Sequence, residues 1–578
     1  MAADSFLWIV VAGSVAAFLT AFAIGANDVA NTFSTAVGGK TLSLKTAIIL
    51  GSVFEIIGAT LLGSAVTDTI RKKIIDYSVF DDSPGILMMG MLCSLVGSGL
   101  WVLIATHFAL PVSTTHSILG SLVGFGIASG KFWAIRWNMI GTIILCWLCA
   151  PFIAGLLGSF CFGMIRTFIL RHGNALQRGY RALFPLMLLV CATFSYFLVF
   201  HNPFIFYFSC FQISESGKSE ILSPCTLSRW ARANSFFAVL FVLLFSFVLA
   251  VFLSIGAHYL VRLKLKNINS NPASDQAQTL EIGSREGDFP QNISCKLNIR
   301  KNMSDSLKNI SFETVCSQTN LENPLCYKNR GVMTQTPDAP PSLSDDPVRS
   351  RNSSWMTMGW MDSPCEMEND ELVKTIHSSA EEFSVESESF FSACQIFSSC
   401  LGCLAHSTND TANAIGPLSL IYFSYRDGSV ASTESIPWYI FFCGGVSMAL
   451  GLVFLGHKVV NTMGNQIVKI TPSRGFSIDV GASWVVMLFS MFGIPLSTTH
   501  STVGSTVGVG LVEKGSTKSE ENASLNAQLH HLNWKLLINI FLSWIITLFF
   551  SCRSRDHVTF FLRSLLSNAR LVCYFISY

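Results

Sequence analysis

Long apolar runs separated by short polar connections dominate this chain of 578 residues. A helix of about 20 apolar residues crosses the ~30 Å hydrocarbon core of a bilayer, and many of these runs approach or exceed that length. They lie near 6–24, 44–66, 86–106, 138–165, 182–201, 235–262, 436–456, 479–494 and 533–550. Two further apolar stretches, 107–130 and 391–423, are interrupted by polar motifs. The pattern predicts an all-α polytopic membrane protein with about 10–12 transmembrane helices.

A polar segment divides the apolar pattern into two halves. Between 264 and 390 the apolar runs stop, and Ser, Asn, Asp, Glu and Pro dominate. Such a composition buries too little apolar surface to offset the entropy of ordering, so we expect a disordered loop. Arg262, Lys264 and Lys266 flank it, which favours the cytoplasm by the positive-inside rule. The predicted domains are a first membrane repeat at 1–263, this loop, a second membrane repeat at 391–550 and an atypical tail at 551–578.

Composition supports the membrane assignment and excludes other classes. Half of the residues are hydrophobic and only 13% are charged, against about 25% in soluble domains. A formal net charge of +2 excludes a basic nucleic-acid-binding protein. Because the apolar runs are long enough to span a membrane, the lipid bilayer is the expected partner. The 17 cysteines lack the spacing of a metal site, and the sequence indicates no cofactor.

One polar motif occurs in both halves, as Pro-Val-Ser-Thr-Thr-His-Ser at 111–117 and Pro-Leu-Ser-Thr-Thr-His-Ser at 495–501. Proline ends the preceding segment and the first serine is a good N-cap, so each motif predicts a half-helix that begins within the membrane. Its free N–H groups, its positive dipole end and the motif's hydroxyls would bind a small tetrahedral oxyanion with neutral donors. The hydroxyls belong to Ser113, Thr114, Thr115, Ser497, Thr498 and Thr499. His116 and His500 are expected to hold these tips, with titration during transport left open.

A second duplicated motif carries a carboxylate into each apolar half, at 25–31 and 407–413. An ionised Asp28 or Asp410 within the membrane costs several kcal/mol unless a cation pairs with it. Neither motif contains Arg or Lys, so sodium or a proton is implied. Asn27 and Asn409 are expected to complete an oxygen cage at a helix break, which Gly25 permits in one copy and Gly416-Pro417 in the other. The remaining amides, Asn31 and Asn413, are assigned to the substrate site, with a role in the cage left open.

Two more carboxylates have no counterpart in the other half. Glu55 lies in an apolar run, and alignment of the halves sets Met448 opposite it. Asp479 begins another run, and Leu95 stands opposite it. An unpaired carboxylate in a duplicated frame is a candidate ligand for a coupling ion or a candidate proton acceptor. Two related halves whose apolar spans are interrupted by such groups are typical of an inverted-repeat secondary transporter.

The motifs resemble those of a known family. Gly-Ala-Asn-Asp-Val-Ala-Asn with Pro-Val-Ser-Thr-Thr-His, and Asn-Asp-Thr-Ala-Asn with Pro-Leu-Ser-Thr-Thr-His, are similar to the signatures of the inorganic phosphate transporter family, the type III sodium-phosphate cotransporters. The resemblance implies twelve spans in an inverted repeat and sodium-driven phosphate uptake across the plasma membrane by alternating access. It also implies that Asp28, Asp410, Glu55 and Asp479 act in transport and that both Ser-Thr-Thr triplets line the phosphate site. Asp479 stands where animal relatives typically have Glu.

The residues leave other functions open. The protein could transport another oxyanion such as sulfate, couple phosphate to protons, or bind phosphate as a sensor without transporting it. Near neutral pH phosphate retains a proton and can donate a hydrogen bond, whereas sulfate cannot; a buried acceptor left unpaired would cost sulfate about 1–3 kcal/mol. No set of nucleophile, base and orienting acid indicates an enzyme. A homodimer and the transport stoichiometry are likewise left open.

Overall fold

The computed structural model describes residues 6–201, 205–213, 219–270, 294–298, 313–317, 371–428, 434–513 and 532–552. Residues 1–265 and 358–578 form one compact unit, and 266–357 form a second. The tail beyond Cys552 and most of the loop at 264–390 lie outside the described residues, so their predicted character stays a prediction.

The first half consists of helices joined by short turns. They are α1 (Leu7–Ile24), α2 (Ala30–Gly38), α3 (Leu44–Leu62), α4 (Ser64–Lys72), α5 (Pro84–His107), α6 (Thr114–Ala128), α7 (Trp137–Ile165), α8 (Ala175–His201), α9 (Leu227–Ala233) and α10 (Ser235–Ser270). Short π-helical turns connect α1 to α2 (Gly25–Val29) and extend α7 (Arg166–Leu170). Strands β1 (Ile205–Ile213) and β2 (Ser219–Thr226) pair antiparallel between α8 and α9.

The second half repeats this helical character after the polar segment. Within that segment β3 (Ser294–Asn298) pairs antiparallel with β4 (Glu313–Ser317). The helices that follow are α11 (Glu371–Ser379), α12 (Val385–Asp427), α13 (Trp438–Asn465), α14 (Pro472–Met491), α15 (Thr498–Val512) and α16 (Trp534–Cys552). The described residues are thus almost entirely helical, with two short hairpins among them.

Among the described residues, 8 helices are long and apolar enough to cross a membrane. They are Leu7–Gly38, Leu44–Leu62, Pro84–His107, Trp137–Leu170, Ala175–Phe200, Ser235–Lys266, Trp438–Asn465 and Trp534–Cys552. Helices α12 and α14 are also long enough but more polar, since they carry buried charged residues. Helices α6 and α15 have 15 residues each, too few for a ~30 Å core at 1.5 Å per residue. They are the predicted half-helices.

The two halves are packed into each other. Helix α13 lies against α1, α2 and α3, and α7 lies against α15 and α14. Backbones touch at these crossings: a Cβ atom on Gly25 would lie 1.9 Å from the Met448 carbonyl oxygen, and one on Gly508 would lie 2.2 Å from that of Gly155. Only glycine fits such approaches, which bring the polar motifs of both halves to the same depth.

The helix breaks predicted at the Asn-Asp motifs differ from the structure. The first motif forms the π-helical turn Gly25–Val29, which keeps the chain helical while shifting its side chains by one residue. The second motif lies in α12, which runs through Pro417 without interruption, so the break predicted at Gly416-Pro417 is wrong. Neighbouring helices can satisfy the carbonyl that a proline leaves unpaired, which makes proline tolerable inside a membrane helix.

A buried ionic cluster joins the segment between α11 and α12 to helices α14 and α15. Arg474 at the start of α14 bonds Glu513 at the end of α15, and both side chains are almost completely buried. The backbone N–H of Glu381 donates to Glu513 Oε1 at 2.9 Å. The Glu381 carboxylate in turn binds Arg166 at 2.7 Å and Arg171 at 2.8 Å. This ionic cluster connects the segment before α12 to the two helices that carry Asp479 and the second Ser-Thr-Thr triplet.

Candidate functional site

Both half-helices begin as the sequence predicts. Ser113 caps α6, because its Oγ accepts a hydrogen bond from the His116 N–H at 3.2 Å. Ser497 caps α15 in the same way, with the His500 N–H at 3.3 Å. The tip residues are all buried, so two helix N-termini lie inside the protein, and at the first of them the Thr114 N–H donates to the Asp28 carboxylate at 3.4 Å.

Asn27 and Asn409 bind the backbone in front of the tips. The Asn27 amide donates to the Leu110 carbonyl at 3.0 Å and accepts from the Val112 N–H at 3.0 Å. The Asn409 amide donates to the Leu496 carbonyl at 2.6 Å and accepts from the Leu496 N–H at 3.0 Å. Each amide therefore has its donor and its acceptor engaged by the chain segment that leads into its half-helix.

Asp28 receives hydrogen bonds from both halves of the molecule. Its carboxylate accepts from the hydroxyl of Thr114 in the first tip. It also accepts from the hydroxyl of Thr499 in the second tip, at 2.5 Å, and from the Asn31 amide at 3.2 Å. The residue is 1% exposed, so neutral donors solvate this buried carboxylate.

Asp410 has a different set of partners. Its carboxylate lies 2.6 Å from His406 Nδ1, and it accepts from the Asn409 amide at 2.8 Å and from the Thr498 hydroxyl at 3.1 Å. His406 is not among the site residues predicted from the sequence. Aligning the two Asn-Asp motifs sets Ile24 opposite His406, and that difference is the signal that could have found it.

The amides of Asn31 and Asn413 cross between the halves. Asn31 Nδ2 donates to the Thr499 hydroxyl at 3.2 Å. Asn413 Nδ2 donates to the hydroxyls of Thr114 at 3.2 Å and Thr115 at 3.4 Å. The side-chain oxygens of both asparagines are buried, and within the described part of the chain neither has a hydrogen-bond partner.

The tips also contact each other. The Thr115 hydroxyl donates to the Leu496 carbonyl at 3.0 Å, and the Thr499 hydroxyl lies 3.2 Å from the Val112 carbonyl. The second half therefore supplies groups to the first tip, and the first half supplies groups to the second. All eight residues assigned to the substrate from sequence lie in this one buried region, with Asp28 and Asp410.

The motif histidines stack on matching tryptophans. The His116 ring lies 3.5 Å from the Trp147 ring and the His500 ring lies 3.7 Å from the Trp544 ring, measured between centroids. The two histidine rings are 4.6 Å apart. His116 Nδ1 also lies 2.6 Å from the Ser113 hydroxyl. These contacts favour the structural role, in which the histidines hold the tips in register.

Glu55 and Asp479 lie outside the direct contacts of the two Asn-Asp carboxylates. Glu55 on α3 is 0% exposed and lies 3.4 Å from Cys403 Sγ through Oε2; its Oε1 has no partner among the described residues. Asp479 on α14 accepts from the hydroxyls of Thr35 at 2.7 Å and Ser399 at 2.6 Å. Each of these two carboxylates, which have no counterpart in the other half, thus lies in its own buried environment.

A narrow cavity lies beside Asp479, Asn31 and His406. It is lined by Asn31, Thr32, Ser399, Gly402, His406, Asp479, Ala482, Ser483, Val486 and Thr502. Asn31, whose side-chain oxygen has no partner among the described residues, and Asp479 both line it. A narrow cavity lined in part by carboxylate, amide and hydroxyl side chains can hold a small desolvated cation.

Known proteins share this sequence and fold. The profile of the Phosphate transporter family matches residues 24–553. A "Sodium-dependent phosphate transporter" of Plasmodium falciparum is 33% identical, covering 94% of this chain and 95% of that protein. A protein of the same description from Toxoplasma gondii is 30% identical over 95% and 96%, and "Sodium-dependent phosphate transporter 1" of Rattus norvegicus is 28% identical over 94% and 93%. A solved structure described as "The sodium-dependent phosphate transporter" matches with a TM-score of 0.63 at 24% identity, covering 96% of this chain and 99% of that one, which confirms the fold class.

Proposed function

The chain belongs to the phosphate transporter family, and we propose that it imports inorganic phosphate together with sodium across the plasma membrane by alternating access. One observation carries the proposal: the Thr499 hydroxyl of the second half donates to the Asp28 carboxylate of the first at 2.5 Å. This contact brings a tip hydroxyl of one half to a buried carboxylate of the other, which supports a shared site for the anion and the cation. Any movement of one half against the other therefore acts on both kinds of site at once.

The phosphate site is assigned to the two half-helix tips. Their N–H groups and the hydroxyls of the Ser-Thr-Thr triplets are neutral donors, and helix N-termini stabilise bound anions. Neither motif contains Arg or Lys. Without a fixed positive charge, the tips would bind phosphate weakly enough to release it, and a coupling cation would supply the missing charge.

The sodium sites are assigned to Asp28 and Asp410 with the side-chain oxygens of Asn31 and Asn413. Sodium is coordinated by oxygen atoms, and these two amide oxygens are buried without a hydrogen-bond partner in the described residues. The amide nitrogens of the same residues face the tip hydroxyls, so each asparagine joins the cation site to the phosphate site. Asn27 and Asn409, expected from sequence to be cation ligands, are instead assigned to holding the tip loops, because both ends of their amides are engaged.

Glu55 and Asp479 are assigned to further steps of cation movement. Asp479 faces the same cavity as Asn31 and His406, which suits a position on the path of an ion that enters or leaves. Glu55 has one buried oxygen with no partner in the described chain. The plasma membrane, a homodimer and the predicted inverted relation of the two halves are kept as predictions beside this assignment.

Phosphate uptake by proteoliposomes that contain the full chain tests the proposal. Radiolabelled phosphate is supplied with an inward sodium gradient, an inward proton gradient or no gradient, and with excess unlabelled sulfate in a parallel set. The proposal expects uptake that requires sodium and resists sulfate. Uptake driven by protons alone, or abolished by sulfate, would replace it with the corresponding alternative.

A variant separates transport from binding. Asp28→Asn keeps the size of the side chain but removes its charge and replaces one acceptor oxygen with an N–H donor. Sodium-driven uptake should therefore be lost while the amount of reconstituted protein is unchanged. Saturable phosphate binding without uptake in the unmodified chain would indicate a sensor. Unchanged sodium dependence in Asp28→Asn would contradict the cation assignment.

A further inference from the structure

A second cavity lies far along the chain from the duplicated motifs, where α7 ends and α8 begins. Its volume is about 620 Å³, which falls in the range of ligand-binding cavities. It is lined by Met164, Ile165, Phe168, Ile169, Arg178, Arg181, Ala182 and Leu186. Six of these residues are apolar and two are arginines, so the lining divides into a hydrophobic wall and a basic one.

The hydrophobic wall is open to the surroundings. Phe168 is 56% exposed and Met164 is 44% exposed, although both belong to a helical segment apolar enough to span a membrane, Trp137–Leu170. The opposite wall belongs to a second such segment, Ala175–Phe200. The cavity therefore lies between the ends of two spans and opens toward lipid.

The basic wall has no carboxylate to neutralise it. Arg178 donates to the Phe168 carbonyl at 3.1 Å, which holds its guanidinium at the rim of the cavity. Arg181 is exposed on the next turn of α8. No acidic side chain among the described residues lines the cavity, and Glu381 in the same region is already bound by Arg166 and Arg171.

The arginines lie at the level expected for lipid headgroups. They occupy the first turns of α8, where a spanning helix enters the membrane, and Arg262 lies near the end of the span Ser235–Lys266. The positive-inside rule assigns these basic residues to the cytoplasmic face. Basic pockets between transmembrane helices on this face suit anionic lipid headgroups.

We propose that this cavity binds an anionic phospholipid of the cytoplasmic leaflet. Arg178 and Arg181 bind the phosphate and any other anionic group of the head, and guanidinium groups match phosphate oxygens in a bidentate geometry. An acyl chain lies along Met164, Phe168 and Leu186. The inference does not depend on the transport proposal, since none of these residues belongs to the duplicated motifs.

Native mass spectrometry of the full chain in mild detergent, titrated with phosphatidylserine or with phosphatidylcholine, measures this binding. We expect phosphatidylserine to bind and phosphatidylcholine to bind much more weakly. Arg178→Gln with Arg181→Gln should weaken phosphatidylserine binding about 30-fold. This factor corresponds to about 1 kcal/mol of attraction to the anionic headgroup for each arginine, at 1.4 kcal/mol per factor of ten. Arg178→Lys with Arg181→Lys keeps the charges and should retain most of the binding.

Two further variants decide between a seated lipid and general surface charge. Ala182→Trp fills the cavity but leaves both arginines, so it should abolish binding of the lipid. Lys73→Gln with Arg136→Gln removes the same amount of charge from exposed residues that do not line the cavity, and it should have no effect. Loss of binding in this control, retention in Ala182→Trp, or displacement of the lipid by inorganic phosphate would overturn the proposal.

Discussion

Replacing Thr499 with Val tests whether the two tips, alike in sequence, have different tasks. Valine has nearly the same shape as threonine but no hydroxyl. Thr499→Val removes the 2.5 Å hydrogen bond to the Asp28 carboxylate. The matched variant Thr115→Val removes the equivalent hydroxyl of the first tip, which donates to the Leu496 backbone carbonyl at 3.0 Å. The same chemical change therefore breaks a bond to a carboxylate in one tip and a bond to a neutral carbonyl in the other.

The expected magnitudes follow from these two acceptors. A hydrogen bond to a charged group contributes about 1.5–3 kcal/mol, and one between neutral groups contributes about 0.5–1.5 kcal/mol. At 1.4 kcal/mol per factor of ten, Thr499→Val should change an equilibrium involving the Asp28 carboxylate roughly 10- to 100-fold. Thr115→Val should change an equilibrium that involves its bond to the Leu496 carbonyl about 2- to 10-fold. A buried carboxylate that has lost a donor is more readily neutralised by a proton, which sodium must then displace, so more sodium should be needed.

Phosphate uptake into proteoliposomes, measured against sodium at saturating phosphate and against phosphate at saturating sodium, separates the two effects. Both variants lose one hydroxyl from the anion cradle, so their half-saturation for phosphate should rise by similar factors. The sodium concentration for half-maximal uptake should rise more in Thr499→Val than in Thr115→Val.

Reconstituted protein amounts and unfolding temperatures serve as controls, because a misfolded variant would lose uptake at every sodium concentration. Equal shifts in sodium dependence would show that the contact between Thr499 and Asp28 does not act on the cation. A larger shift in Thr115→Val would refute the assignment of Asp28 as the carboxylate that both tips share.

Three other changes have definite expected results. His406→Ile installs the residue of the first half and leaves Asp410 buried without its imidazole, which should abolish uptake without loss of membrane insertion; His406→Gln, which can still donate, should retain part of it. Glu513→Gln strands the buried Arg474 and should cost about 3–5 kcal/mol of stability, seen as a lower unfolding temperature that Arg474→Met restores in the double variant. Burial alone would raise the pKa of Glu381, but its arginine partners outweigh burial and lower that pKa. The contribution of Glu381 to the stability of the fold is therefore full above the ordinary pKa of a glutamate and is lost as pH falls through the lowered pKa. An acid titration of the unfolding temperature should show this loss in the unmodified chain and not in Glu381→Gln.

The parts of the fold that depend on local signals could be predicted from the sequence. Proline followed by a capping serine fixed the first residues of α6 and α15, because both act on the backbone next to them. The Asn-Asp motifs were harder. Their glycines and Pro417 are compatible with a broken helix as well as with a continuous one, and packing against neighbouring helices decides between these forms. That packing cannot be predicted from the sequence of the motif itself.

Contacts between distant residues account for the rest of what the sequence did not predict. The hydrogen bond from Thr499 to Asp28 joins residues in different halves, and nothing in either motif indicates which residue of the other half it contacts. The ionic pair of Arg474 and Glu513 was also missed, because charges near helix ends usually face water. His406 differs from these, because it has a signal in the sequence: the aligned halves set the apolar Ile24 opposite it.

The duplicated and the unduplicated groups differ in chemistry. The tips repeat their capping serines, their threonine hydroxyls and their stacked histidines, and all of these groups are suited to a tetrahedral anion that presents similar oxygens to both sides. Glu55, His406 and Asp479 occur once each, and all three are ionisable. A cation that moves in one direction relative to the anion needs unequal surroundings on its two sides, since equal surroundings would give it no preferred order of contacts. The asymmetry of these three residues therefore fits coupling, as the symmetry of the tips fits recognition, and substitutions of Glu55, His406 or Asp479 should change sodium dependence more than phosphate affinity.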